Sequence, residues 1–170
     1  ATCVINGWPT DSYLDPQHPL QLAIRGEVEA MSGEEVTLTS VDGCGAPLFL
    51  FSLLGLARAV RNLTISADPV HQFVAQACRD FPEMVSGPGR LATRLMQNIP
   101  GLFMKDGAEA VNVASLPDGR TLAIKISDGN QRAMPAITAA ALAKFGIDAK
   151  EEPVNTLGAG LPVGTIRATL

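Results

Sequence analysis

The amino-acid sequence predicts an α+β fold, with helices in the first half and an antiparallel sheet carrying a packed helix in the second. Apolar residues recur at helical spacing through much of the first half, whereas two later runs alternate with a period of two. A proline–aspartate–glycine turn separates those two runs. Helices followed by strands in this order are typical of the α+β class.

Size and composition indicate a globular chain. Its 170 residues, of which 46% are hydrophobic, are enough for one domain with a sizeable core, and we expect a single domain over residues 1–170. The formal net charge is −4 and lysines and arginines form no run, which argues against a nucleic-acid or acidic-membrane partner. The longest apolar stretch, Ala46–Ala57, is too short to span a membrane and contains a proline.

The cysteines favour a cytoplasmic protein. Cys3, Cys44 and Cys78 are an odd number and lack Cys-x-x-Cys spacing, which fits a reducing compartment better than a disulfide framework.

The start of the chain carries a helix stop with little helix before it. Asn6-Gly7 is a typical C-terminal stop, but Ala1–Ile5 is too short to form a helix alone. We therefore expect a helix that begins upstream and a chain that is part of a longer one. Removal of an initiator methionine with a frayed start is the alternative.

The first half is predicted to be mainly helical, with one short strand. Apolar spacing, an Asp68-Pro69 helix start and a nearly uniform apolar run with Pro47 at its first turn support the helices. The expected elements are a helix over Pro16–Met31, a strand over Val36–Thr39, a buried helix over Leu48–Leu63, a helix over Asp68–Val85 and a helix over Arg90–Asn98.

The second half is predicted to form the sheet. The turn Pro117-Asp118-Gly119 joins the alternating runs into a hairpin, and an alanine-rich segment after it has the spacing of a packed helix. The expected elements are strands over Leu102–Lys105, Val111–Leu116 and Leu122–Ser127, a helix over Ala133–Phe145, a loop over Glu151–Leu161 and a last strand over Val163–Leu170.

Common catalytic motifs are absent from the sequence. It contains no G-x-S-x-G, Walker loop, H-E-x-x-H or S-x-x-K, and no metal-ligand spacing. His18 and His71 have no carboxylate pattern beside them. The chain alone therefore offers no recognisable nucleophile and base, and no catalytic residue is assigned to it.

Three segments remain candidates for chemistry, each with a structural alternative. Asp42–Gly45 places glycines around a cysteine and lets the backbone approach a partner, or it is a tight turn with a buried free cysteine. Ser86–Arg90 is a glycine-rich anion loop or a plain connection between helices. Lys105–Glu109 puts a lysine at a strand end, where it neutralises a substrate carboxylate or is simply solvated.

The order of these segments resembles known enzymes. A Lys-x-Gly strand, further antiparallel strands and a closing helix resemble the end of serine β-lactamases and penicillin-binding proteins, with Asp106 in place of the threonine of K-T-G. More specifically, the chain resembles the thermolabile, rhizobial-type L-asparaginases of the asparaginase II family, which share that fold with glutaminases. The matching blocks are Asp42–Pro47, Gly87–Arg90 with Leu95-Met96, Lys105–Glu109, and Lys125–Gly129 with Arg132-Ala133.

The resemblance implies hydrolysis of L-asparagine to L-aspartate and ammonia by a serine that a lysine activates, with both motifs in an N-terminal half outside this chain. No cofactor is required, although Cys44 is in a position to share a zinc ion with an upstream cysteine–lysine–histidine motif. The implied substrate-binding residues are Gly43, Cys44, Gly45, Lys105, Gly107, Ala108 and Glu109. The sequence departs from the family at Ala92, Asp106 and Ala110, where aspartate, serine and glycine are usual.

Two alternatives stay open: a glutaminase-like amidase, and a non-catalytic module that binds a small amino acid or a partner chain. We expect the chain alone to be inactive. We also expect a homodimer or larger assembly, because apolar residues in Ala1–Ile5 and Leu48–Ala59 are left exposed when no other segment covers them.

Overall fold

The computed structural model describes residues 1–151 and 153–169 and confirms the α+β class. Within these residues, contacts divide the chain into two compact units, Ala1–Ala59 and Val60–Leu170. The expectation of a single domain over residues 1–170 stays a prediction. None of the described helices combines the length and apolarity needed to cross a membrane.

The first unit contains two helices, a hairpin and the beginning of a third helix. These elements are α1 (Thr2–Ile5), α2 (Pro19–Ser32), β1 (Leu38–Val41), β2 (Pro47–Leu50) and the start of α3 (Leu53–Ile65). Helix α2 begins later than predicted because the His18 side chain caps it, with its Nδ1 accepting from the Leu20 N–H at 3.1 Å. Gly33 ends it in the left-handed conformation, with φ of 68°.

The predicted helix over Leu48–Leu63 is wrong at its start. Pro47–Leu50 forms β2, which pairs antiparallel with β1 from Leu38↔Leu50 to Val41↔Pro47. The α3 helix begins only after Ser52, whose Oγ accepts from the Gly55 N–H at 2.9 Å. The expected burial is also wrong, since Leu54 is 58% exposed. The apolar segment Pro47–Leu50 is a strand rather than a helix because it pairs with β1 across a tight turn.

The second unit contains a central sheet with helices on it and a separate C-terminal hairpin. Its elements after α3 are α4 (Pro69–Asp80), α5 (Pro82–Ser86), α6 (Leu91–Asn98), β3 (Phe103–Gly107), β4 (Val111–Ser115), β5 (Thr121–Lys125), α7 (Met134–Lys144), β6 (Val154–Gly158) and β7 (Leu161–Ile166), with 3-10 turns at Ala108–Ala110 and Gln131–Ala133.

Helix α4 starts as predicted and ends early. The Asp68 carboxylate accepts from the Val70 N–H at 2.7 Å and Pro69 occupies the first turn. Phe81 then leaves helical geometry, with φ of −128° and ψ of 57°, because Pro82 follows it. The expected helix to Val85 is therefore divided into α4 and α5.

The hairpin at the centre of the sheet is confirmed. Strands β3, β4 and β5 pair antiparallel in that order. In the turn, the Leu116 N–H donates to Arg120 O at 2.9 Å and the Gly119 N–H donates to Leu116 O at 3.0 Å. Gly119 has φ of 85°, which explains why glycine stands there.

One face of this sheet carries the main core. Leu95 of α6, Met104 of β3 and Leu142 of α7 are almost completely buried and belong to one apolar cluster. On the opposite face, the hydroxyls of Thr64 and Ser115 lie 2.7 Å apart. Apolar burial on the first face fixes which side chains of β3 and β4 point toward α6 and α7.

The C-terminal segment differs from prediction. The expected loop over Glu151–Leu161 contains β6, which pairs with β7 around a turn where Ala159 and Gly160 have φ of 51° and 80°. The last strand ends at Ile166. Glu152 and Leu170, which belong to the predicted loop and strand, lie outside the described residues.

Candidate functional site

The predicted residues Gly43, Cys44 and Gly45 form the tip of the β1–β2 hairpin. The Gly45 N–H donates to Asp42 O at 2.9 Å and the Asp42 N–H donates to Ala46 O at 2.8 Å. The expected tight turn is present, but its free cysteine is exposed rather than buried. Hydrogen bonds from the Cys44 thiol, and from the Cys44 and Gly43 backbone, hold the pKa of Asp42 below its ordinary value.

The hairpin tip does not provide a complete metal site. The described residues contain no group of three or more His, Cys, Asp and Glu side chains that could hold a metal ion. Cys44 and Asp42 offer a thiol and a carboxylate, whereas zinc takes four ligands in most structural sites. A zinc ion here needs ligands from outside the described residues.

The predicted residues Lys105 to Glu109 comprise the last three residues of β3 and the first two of the 3-10 turn after it. Side chains alternate along a strand, so Lys105 and Asp106 leave opposite faces of the sheet. The Lys105 ammonium donates to the Asp106 carbonyl and lies 3.6 Å from Asp106 Oδ1. On the α4 side, burial raises the pKa of the Cys78 thiol, and the charges of Arg79 and Lys105 oppose that shift.

The turn after β3 is strained. Glu109 and Ala110 both have left-handed φ, 56° and 55°, which disfavours residues other than glycine. The Lys125 ammonium donates to Glu109 O at 2.6 Å, the Ile126 N–H to Ala110 O at 3.0 Å and Gln131 Nε2 to Gly107 O at 3.2 Å. Backbone strain that surrounding contacts maintain in this way is common at functional sites.

A cleft of about 360 Å³ opens beside this turn, on the Asp106 face of the sheet. The N-terminus of α6, strands β3 and β4 and the start of α7 contribute its walls. Its lining residues are Gly89, Arg90, Leu91, Arg94, Asp106, Asn112, Gln131, Met134 and Pro135. Lys105, Gly107, Ala108 and Glu109 are outside this lining, whereas Asp106 lies within it.

Asn112 is the most unusual residue of the cleft. It lies directly opposite Asp106 in the β3–β4 ladder and is fully buried. Its Nδ2 donates to Thr138 Oγ1 at 3.3 Å, but its Oδ1 has no hydrogen-bond partner among the described residues. The Thr138 hydroxyl can donate or accept a hydrogen bond, so either orientation of the Asn112 amide can bond to it. In both orientations the other polar atom of the Asn112 amide stays unpaired. An unsatisfied buried polar atom costs about 1–3 kcal/mol, which a ligand hydrogen bond would recover.

Asp106 supplies a carboxylate to the same cleft. Ser86 Oγ donates to its Oδ1 at 2.8 Å, and Arg90 Nη2 lies 3.7 Å from its Oδ2. Partial burial works to raise the pKa of Asp106, but the Ser86 hydrogen bond and the charges of Lys105 and Arg90 outweigh it and lower the pKa overall. Asp106 is therefore ionised at neutral pH.

The positive end of the cleft consists of Arg90 and the start of α6. The Arg90 side chain is 63% exposed and holds Asp106 only loosely, whereas Arg94 is engaged by Glu151 and by Gly89 O. No described side chain caps the first turn of α6, which leaves its N–H groups free for an anion. Arg90 and these N–H groups together favour a carboxylate.

The cleft thus presents groups of opposite character to a small zwitterion. A carboxylate suits Arg90 and the α6 N-terminus, and an ammonium or amide N–H suits Asp106 and Asn112 Oδ1. The described residues that line it include no serine, cysteine or lysine. Asn112 and Gln131 were not among the residues predicted from the sequence; for Asn112, a polar residue at a core-facing position of β4 was the available signal.

Comparison with known proteins identifies the family. No curated protein matches the chain. The family model described as L-asparaginase II matches residues 1–165, nearly the whole chain. The chain therefore belongs to the L-asparaginase II family.

Proposed function

We propose that the Arg90–Asn112 cleft binds L-asparagine and forms the substrate-recognition part of an asparaginase that yields L-aspartate and ammonia. Family membership makes the chain an asparaginase-like amidohydrolase with a small-molecule substrate. The observation that carries the finer proposal is the buried, unpaired Asn112 Oδ1 beside a carboxylate and an arginine.

Each charged group of L-asparagine has a partner in this cleft. The α-carboxylate binds Arg90 and the uncapped N–H groups of α6, and the α-ammonium binds Asp106 and, once a side-chain movement uncovers it, Asn112 Oδ1. The residues implied by resemblance, Gly43, Cys44, Gly45, Gly107, Ala108 and Glu109, stay predicted contacts. Lys105 was predicted to bind the carboxylate, whereas the present proposal assigns that role to Arg90.

The nucleophile and its base are expected outside these 170 residues, in serine–lysine motifs that this sequence lacks. The described lining supplies recognition groups alone. We therefore expect the chain to bind L-asparagine without releasing ammonia. A lining without serine, cysteine or lysine also favours the second candidate, a non-catalytic module that binds an amino acid. A glutaminase-like preference is tested by repeating the binding measurement with L-glutamine, which is one methylene longer than L-asparagine.

Zinc at Cys44 is a separate proposal. The thiol is exposed and accessible to a metal shared with residues outside this chain. Elemental analysis of the protein extended upstream should find zinc that is lost in Cys44→Ala. Zinc that persists in this variant would remove Cys44 from the site.

Assembly and compartment are also proposed. Large apolar side chains are exposed on the β1–β2 hairpin and on helix α4. They include Val41, Leu48, Val70 and Phe73, and their exposure supports a dimer or larger assembly. Light scattering of the purified chain tests it, and a monomer at every concentration would contradict it. A reducing cytoplasm stays a proposal, which rests on the odd number of cysteines and their lack of Cys-x-x-Cys spacing.

Calorimetric titration with L-asparagine tests the cleft. Arg90→Gln should weaken binding about ten- to a hundredfold, because a charge-assisted hydrogen bond contributes about 1.5–3 kcal/mol. Arg132→Gln is the matched control, since Arg132 is exposed, pairs with Asp128 and lies outside the lining. Lys105→Met should weaken binding less than Arg90→Gln does, because the Lys105 ammonium lies 3.6 Å from Asp106 Oδ1 but outside the cleft lining. If Lys105→Met loses binding and Arg90→Gln keeps it, the carboxylate site belongs to Lys105.

A further inference from the structure

A buried arginine edge without an acceptor lies on α4, away from the Arg90–Asn112 cleft. Arg79 occupies the last turn of this helix. Its Nε and Nη2 are buried, and no described residue accepts a hydrogen bond from either atom. These nitrogens form the edge of the guanidinium that binds a carboxylate through parallel N–H···O bonds.

This arrangement is unfavourable for the protein alone. A guanidinium stays charged in proteins, and burying its donors without acceptors costs more than burying neutral ones. Asp80, the next residue, has its Oδ1 engaged by Gln76 Nε2 at 2.7 Å. The described residues therefore leave the Arg79 edge without an acceptor.

Two cavities lined by Arg79 provide space for such an acceptor. One of about 620 Å³ and another of about 410 Å³ share Thr64, Gln76 and Arg79 as lining residues. The larger one is also lined by the apolar side chains of Ile65, Pro69 and Phe73. Phe73 is largely exposed, so it is available to contact an entering molecule. The larger cavity combines a cation with an apolar wall.

Access requires a side-chain movement of Arg79. Protein atoms cover Nε and Nη2, so an anion in the cavity reaches them after the guanidinium turns. Within the described part of the chain, this turn breaks no hydrogen bond of either nitrogen. The charge gains a counterion and two missing acceptors at once.

The geometry points to a second ligand site at Arg79, which takes a small organic carboxylate with an apolar body. The carboxylate pairs with the Arg79 guanidinium, and the apolar body contacts Ile65 and Phe73. This site is independent of L-asparagine binding, because it shares no lining residue with the Arg90–Asn112 cleft.

Calorimetric titration of the full chain with benzoate tests this site, with benzamide as its neutral analogue. Benzoate should bind at least about tenfold more tightly than benzamide, and Arg79→Met should weaken benzoate binding by at least about tenfold. Arg132→Met, which removes an exposed paired arginine, should bind benzoate like the wild type. Arg79→Lys keeps the positive charge but cannot form two parallel hydrogen bonds to a carboxylate. It should bind benzoate with an affinity between those of the wild type and Arg79→Met.

Thermal unfolding shows whether the variants are folded. Arg79→Met should melt no lower than the wild type, because it removes unpaired buried donors. No benzoate binding by the wild type, or equal binding by folded Arg79→Met, would overturn the proposal. Loss of L-asparagine binding in Arg90→Gln leaves this result unaffected, so the two sites are tested separately.

Discussion

Replacing Asn112 with Leu and Thr138 with Val should stabilise the fold and abolish L-asparagine binding. The two side chains are fully buried and share one hydrogen bond, and Asn112 Oδ1 has no partner among the described residues. Leucine and valine have the same branching as asparagine and threonine but carry no polar atoms. The double change therefore removes the unpaired oxygen together with the hydrogen bond.

The expected gain in stability is the difference between two free-energy terms. Removing a buried unsatisfied atom recovers about 1–3 kcal/mol, and losing the hydrogen bond costs about 0.5–1.5 kcal/mol. The central values of these terms, about 2 and about 1 kcal/mol, leave a rise of about 1 kcal/mol in the free energy of unfolding, which for a chain of this size raises Tm by about 2–4 °C. Asn112→Leu alone should gain less, because it leaves the Thr138 hydroxyl unpaired.

Thermal and urea unfolding measure the stability, and calorimetry measures L-asparagine binding. The matched control is Asn155→Leu with Thr165→Val, the same change at an exposed cross-strand pair of β6 and β7, where the free energy should move by less than about 0.5 kcal/mol. A destabilised Asn112/Thr138 variant would refute the unpaired-oxygen argument. A stable variant that still binds L-asparagine normally would remove Asn112 from the site.

Other variants test the strained turn, the cleft carboxylate and the hairpin cysteine. Ala110→Gly should cost about 1–2 kcal/mol less than Ala114→Gly in urea unfolding, because both alanines are buried but only Ala110 has left-handed φ; equal losses would argue against strain. Asp106→Asn should destabilise the protein at about pH 7, and the difference should shrink as the pH falls below the ordinary value of about 3.9, because the stability that a lowered pKa contributes is lost as the pH falls through the folded value. A gap that persists in acid would contradict this. Cys44→Ala should shift Tm by no more than about 2 °C, because the cysteine is exposed; a larger fall would make it a packing residue.

Local sequence signals predicted part of the fold. The hairpin at Pro117–Gly119 and the Asp68 cap each depend on residues close in the chain, and both were identified correctly. The strand Pro47–Leu50 was missed because its apolar side chains are compatible with a buried helix until β1 pairs with it. The break at Phe81 depends on the residue before Pro82 leaving helical geometry, which the continuous helical prediction ignored.

Only part of the candidate site could be predicted from the sequence. Segments Ser86–Arg90 and Lys105–Glu109 were singled out, and the structure brings Arg90 and Asp106 from them to one cleft. The sequence favoured Lys105, but strand alternation puts it on the other face of the sheet from Asp106. Asn112 has no local signal beyond polarity, since its unpaired oxygen depends on the register of β3 against β4.

The central claim is that the Arg90–Asn112 cleft holds L-asparagine. Amide NMR spectra of the isotope-labelled chain during an L-asparagine titration test it most directly. The account predicts that the Asn112 side-chain amide, the Leu91 backbone amide and the Gln131 side-chain amide shift together and saturably, while ammonia stays at the blank level. If these three signals stay fixed at saturating L-asparagine, or if the shifts concentrate around Lys105 and Cys78, the cleft is not the binding site.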